Sequence, residues 1–304
     1  MGQPIPIAKK FAGLNNKVDP ARLELNLETL VCECSQSVNL KYDETGRPRL
    51  RRGQVPRHVG NFHSLWTFQE TYGYVGLDNL LYKLNDDLSL TGVRDELSGS
   101  RIAFCWTPLG IYYANGTQKG ILQGDRSLLW EQTEGRKRSP RHYTGPPDKG
   151  LHIELFSQCL LVSEGNVVYR SQPNNYGLFR KSADHSVFPG PVRMMKAVAG
   201  GVYWSDDART YFTPGNDPRE WVRRTVMECP AMEWSAIPDL INPKDIGMEG
   251  DDGWACWVSA EGIVYGSPQG NIIQPTKDKI RLPSGFQQGA AIMDGHNCIY
   301  NMHQ

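Results

Sequence analysis

Residues 160–179 read "LLVSEGNVVYRSQPNNYGLF": an apolar strand, a tight turn on Glu164-Gly165, a second strand bearing Tyr169, then a polar turn around Pro173 before the chain becomes apolar again. The plan recurs. It returns in "FCWTPLGIYYANGTQKGIL" (104–122), "KAVAGGVYWSDDARTYF" (196–212), "WVSAEGIVYGSPQGNII" (257–273) and "AIMDGHNCIYNMHQ" (291–304), and more loosely in "YGYVGLDNLLYKLNDDLSL" (72–90). Short runs rich in Val, Ile, Tyr and Trp, separated by turns containing Gly, read as strands joined in hairpins, and helical periodicity is nearly absent. The 31 Gly and 20 Pro act as punctuation between these runs, and the chain reads as all-β.

The recurring tyrosines are Tyr82, Tyr112, Tyr169, Tyr203, Tyr265 and Tyr300. Their spacing is uneven but averages about 44 residues, the length of a four-stranded propeller blade. The expectation is a β-propeller of five to seven short blades over residues 58–304, with inserted loops near 127–149 and 229–253. Residues 1–57 form an N-terminal arm. Within it, "SVNLKYDETGRPRLRRG" (37–53) alternates, turns at Gly46 and returns with Pro48, which bars a central strand position, so it reads as a basic hairpin. The last repeat ends soon after "CIYNM", a blade short of strands, and the N-terminal hairpin is expected to close the ring.

At 304 residues, with 39% hydrophobic and 22% charged residues, the chain can fill one large or two ordinary cores. Lys plus Arg equals Asp plus Glu at 33 each, so no overall charge points to nucleic acid or an anionic membrane. The seven cysteines are scattered through apolar runs such as "IAFCW" and "WACWV" and read as reduced core residues. The start lacks the apolar core of a secretory signal, and no run reaches the ~20 apolar residues of a membrane helix, so a soluble protein made in a cytoplasm is expected, with no membrane anchor.

Chemistry is hard to find. The acid pairs Asp86-Asp87, Asp206-Asp207 and Asp251-Asp252 point to opposite faces if on strands, and Asp is the ordinary residue of turns. In "SDDARTYF" (205–212), Ser205, Asp207 and Phe212 fit a turn-stabilising Asp-box hairpin, with Arg209 where Gly belongs. His58, His63, His142, His152, His185, His296 and His303 form no metal-ligand set, Cys32-x-Cys34 lacks a second pair, and phosphate-cradling and nucleophile-elbow motifs are missing. The expectation is no catalytic, metal or cofactor residue, and not an enzyme. Two basic clusters remain: Arg47, Arg49, Arg51 and Arg52 in the hairpin, and Arg136, Lys137, Arg138 and Arg141 in the first inserted loop. Both are read as contacts to another subunit or partner.

The ordered set "GLNNKVDPARLEL", "VNLKYDETGRPRLRRG" and "HSLW" resembles a group of virion proteins of tailed bacteriophages, through Gly13, Leu14, Asn15, Asn16, Asp19, Pro20, Asn39, Gly46, Arg47, Arg52, Gly53, Ser64, Leu65 and Trp66. The likeness covers the first quarter of the chain. It implies a structural role in the virion, synthesised in the bacterial host. The expected place is the tail nozzle of a short-tailed phage: a ring of six copies below the portal and adaptor, meeting fibre or needle proteins and conducting DNA during ejection. The chain is short for such a nozzle, which leaves a capsid-surface or fibre-anchoring role as an alternative. A glycan- or receptor-binding propeller, with exposed aromatics such as Trp130 or Trp221 beside acidic loops, is another.

Overall fold

The computed structural model describes residues 10–23, 26, 28–38, 40–42, 45, 47–50, 55–68, 72–130, 143–215, 221–282, 288–294 and 297–303. The chain divides into two units: a smaller one of Met1–Arg57 with Glu261–Ile263 and Gln274–Ser284, and a larger one of His58–Ala260, Val264–Ile273 and Gly285–Gln304.

In the smaller unit, Lys10–Leu14 pairs in parallel with Val31–Cys34. The residues that carry the phage-protein likeness build the turn between them. Asn15 accepts the backbone N–H groups of Lys17 and Val18 and donates to Glu33 (2.7 Å), while Asp19 caps the short helix Pro20–Arg22 through Ala21 N–H (2.9 Å). Asn16 is tied to the 274–284 segment, donating through its backbone to Lys279 O and accepting Arg281 N–H on its side chain (2.6 Å). These side chains replace the ladder that a short irregular segment cannot form for itself. Leu40–Tyr42 and Pro48–Leu50 form an antiparallel hairpin that is a sheet of its own.

From Phe62 onward the described residues form six antiparallel sheets in chain order. The first holds Phe62–Phe68, Tyr72–Leu77, Leu80–Leu84 and Leu90–Arg94; the second Ala103–Thr107, Gly110–Ala114, Lys119–Gln123 and Arg126–Leu128. The third holds Ile153–Phe156, Cys159–Glu164 and Val167–Gln172, with Asn175–Phe179 and His185–Val187 both paired to the last of these. The fourth holds Met194–Val198, Gly201–Ser205, Thr210–Pro214 and Arg224–Met227; the fifth Ala255–Ser259, Gly262–Gly266 and Ile272–Ile273; the sixth Gln288–Asp294 and Asn297–His303. Ahead of the fifth sheet, the Pro-rich segment bridges Ala255–Ser259 through Ala231 opposite Ser259 and Ile237 N–H to Cys256 O.

The first five sheets pack face to face in succession, and alternation along the strands of the second and fourth serves two neighbours at once. Tyr113, Ile111 and Leu122 of the second sheet pack on Trp66, Tyr74 and Leu81 of the first, whereas Tyr112 and Ala114 turn to Leu160, Val162 and Phe179 of the third. Likewise Trp204 and Val202 meet Leu161 and Val168 of the third sheet, and Tyr203 and Phe212 meet Trp257 and Val264 of the fifth. Burial on both faces is why the strands read as continuous apolar runs.

Two expectations are corrected. Trp130 is not an exposed aromatic: it is buried, its indole N–H donates to Tyr176 O (2.9 Å), and its ring meets Tyr112 edge-on at 5.0 Å. In the Ser205 hairpin, the turn carboxylate is Asp206 rather than Asp207. Asp206, fully buried, accepts the N–H groups of Ala208 and Arg209 and the Tyr211 hydroxyl, while Asp207 is exposed.

Candidate functional site

The larger unit holds a half-open cavity of about 260 Å³. Its lining comes from residues 64–66 of the first sheet, 101–104 at the start of the second, 152–154 of the third, 193, 194 and 196 of the fourth, 234 and 236–238 ahead of the fifth, and 290, 291, 299 and 301 of the sixth. Most of this surface is apolar, supplied by side chains such as Trp66, Phe104, Met194 and Ile237. The polar groups are few: Ser64 and Asn301 beside Arg101, His152, Glu154, Arg193 and Lys196.

His152 is buried, its ring lies 4.5 Å from that of Trp234, and its Nε2 has no hydrogen-bond partner among the described residues. The nearest acid is Glu233, whose Oε1 is 3.5 Å from Nε2, long for a hydrogen bond but an ion pair when the imidazole is protonated. Burial works to raise the Glu233 carboxyl; His152, Arg193 and Gln288 outweigh it and hold the group below the ordinary carboxylate range. Arg101 donates to Gly289 O, and burial lowers its guanidinium against the opposing pull of Glu233. Lys196 donates to Glu154 Oε1 (3.3 Å) and Pro238 O (2.5 Å), a buried pair in which burial raises the Glu154 carboxyl against the pull of Lys196. Arg193 makes no side-chain hydrogen bond or ion pair among the described residues, although it lines the cavity.

Two lining residues hold left-handed backbone without being glycine: Ser64 (φ 58°) and Trp234 (φ 66°). That conformation is uncommon for a side chain as large as Trp and persists only where neighbours enforce it. The neighbours are visible: Ser64 Oγ accepts Ile102 N–H (2.8 Å), and around Trp234 the Ser235 hydroxyl donates to Met232 O (2.7 Å) while Glu233 O accepts Gly289 N–H (2.8 Å).

None of the basic residues expected at a partner contact lies here. Arg47 and Arg49 are exposed on the hairpin of the smaller unit, and Arg51, Arg52, Arg136, Lys137, Arg138 and Arg141 lie outside the described residues. The cavity groups went unread in the sequence because they are drawn from several sheets far apart in the chain. A signal was nonetheless present: Arg101, His152 and Arg193 each stand just ahead of the first strand of a sheet, in "RIAFCW", "HIELF" and "RMMKAV".

No family model matches the chain and no curated protein matches it. Solved structures do. The chain is similar to virginiamycin B lyase of Staphylococcus aureus (9% identity, 79% of this chain and 76% of that one, TM-score 0.46). It is also similar to a gluconolactonase of Xanthomonas campestris (11%, 79% and 85%, TM-score 0.43). A third likeness is to the extracellular domain of a two component system of B. thetaiotaomicron (12%, TM-score 0.47), which covers 83% of this chain but only 30% of that one. At this level no residue's role is transferred. The expectation that the chain is not an enzyme is nevertheless corrected: a missing contiguous motif excludes nothing where charged groups converge on one cavity from separate sheets.

Proposed function

We propose that the chain is a structural protein of a tailed-phage virion, a ring-forming component of the tail below the portal and adaptor. In this reading the larger unit is a six-bladed β-propeller, its blades the six sheets and its axis the cavity that their leading segments line. A cavity of about 260 Å³ holds a small molecule and not a nucleic acid, so the DNA path runs along the axis of the ring of copies.

The observation that carries the assembly role is the hairpin of the smaller unit. Pro48, Arg49 and Leu50 are all exposed, with Leu50 at 77%, although a two-stranded hairpin has little stability in water without a surface to cover it. The sixth sheet supplies the complement, since its described part has two strands where the first, second and fourth have four. The hairpin of one copy completes the sixth blade of the next, which closes each blade ring and links the copies head to tail in a cycle, six in all by likeness to the nozzle proteins. Arg47 and Arg49 set the register of that contact.

The test is sedimentation of the wild type beside Arg49→Glu/Leu50→Asp. The wild type sediments as a ring and the variant as a monomer of unchanged melting temperature. A wild type that stays monomeric at micromolar concentration, or a variant that still assembles, overturns the reading.

A further inference from the structure

We propose that the cavity of the larger unit is a binding site for a small organic monocarboxylate with a compact apolar body. Three features converge. Charge is the first: the cavity presents Arg101, Arg193 and Lys196 against Glu154 and the adjoining Glu233. Lys196 and Glu154 satisfy each other, which leaves two guanidinium groups facing one carboxylate, a surplus matched by one anionic charge. Arg101 and Arg193 are half-buried, so their charge is only partly met by water, and a carboxylate held by an arginine fork supplies the counter-charge with two parallel hydrogen bonds.

An unmet polar group is the second feature. His152 is 7% exposed and its buried Nε2 makes no hydrogen bond among the described residues, Glu233 Oε1 standing 3.5 Å away, an arrangement rare in folded proteins unless something else supplies the bond. A carboxylate oxygen accepts from that nitrogen when the proton sits there. Trp234 supplies the third: its ring lies beside His152 on a left-handed backbone, so a strained residue holds an aromatic wall next to the polar corner, while Ile237 and Met194 continue an apolar wall. A few polar groups in an otherwise apolar cavity are the build of a site for a small amphipathic ligand.

The test is calorimetric titration of the full chain with the matched pairs benzoate and benzamide, and cinnamate and cinnamamide, with inorganic phosphate as a separate titrant. The acids bind and their amides bind about tenfold more weakly or less, since one charge-assisted contact is worth that much. Arg193→Met, whose side chain makes no bond to the rest of the described residues, melts as the wild type and loses the acids by about tenfold; Arg101→Lys, which keeps the charge but not the fork, weakens them by a smaller factor. Acid and amide binding alike, no heat at millimolar acid, phosphate binding more tightly than either acid, or full acid affinity in Arg193→Met each overturn the proposal.

Discussion

The Ser205–Phe212 turn offers a direct energetic test of the described packing, through Asp206→Ala. Asp206 is fully buried, and its Oδ1 accepts Ala208 N–H (2.9 Å) and Arg209 N–H (2.8 Å) while Oδ2 accepts the Tyr211 hydroxyl (2.9 Å). The alanine variant removes all three acceptors and leaves the Tyr211 hydroxyl beside Phe188 and Trp204 with no partner. At about 1 to 1.5 kcal/mol for each lost bond, with the two partly solvated N–H groups near the low end, the sum is about 3 to 4 kcal/mol. Asp206→Asn keeps an acceptor for the two N–H groups and costs about half as much. Asp207→Ala, at an exposed position, changes stability by less than about 0.5 kcal/mol. Urea unfolding followed by tryptophan fluorescence reads these as shifts in midpoint at constant slope. Tyr211→Phe completes a double-mutant cycle: alone it costs about 1 kcal/mol, and in the Asp206→Ala background it costs nothing or restores stability. An Asp207→Ala variant less stable than Asp206→Ala, or a cycle without coupling, refutes the assignment.

Three further outcomes follow from the packing and charge. Trp130→Ala removes a buried indole with a satisfied N–H and costs about 3 to 5 kcal/mol in the same urea assay. Glu33, held below the ordinary carboxylate range by Lys279 and Asn15, and Glu261, held low by Gln274 and Lys277, contribute stability that is complete above their unfolded values and lost as pH falls through their folded ones. Amides of residues 274–282 therefore lose hydrogen-exchange protection between about pH 5 and pH 3, before those of the Met194–Val198 strand. Burial raises the thiols of Cys105 and Cys159, so a thiolate-selective reagent at mildly alkaline pH modifies them only as fast as the protein unfolds.

The hairpin repeat was legible because Gly turns and aromatic strands mark it wherever it falls. Its phase was not. Tyr112, Tyr203 and Tyr300 lie on the second strands of their sheets, whereas Tyr82 and Tyr169 lie on the third strands of theirs. Both hairpins of a sheet present the same apolar, turn and aromatic order, because both faces are buried, so the tyrosine spacing mixes two phases and comes out uneven. Counted from first strands, at Phe62, Ala103, Ile153 and Met194, the repeat runs at about 40 to 50 residues. The Asp-box reading chose the carboxylate by motif position and so took Asp207, whereas burial and the Tyr211 hydroxyl select its neighbour. Arg101, His152 and Arg193 escaped notice because they lie about 40 to 50 residues apart in the sequence with no motif joining them, and only the fold brings them to the lining of one cavity.

The central claim is that this chain builds a ring in the tail of a virion, and its copy number per portal ring in purified particles, by quantitative mass spectrometry, tests it most directly. The account predicts one copy for every two portal subunits, a six-copy ring beneath a twelve-subunit portal. Absence from the particle, or copies in the tens to hundreds as on a capsid surface, contradicts it.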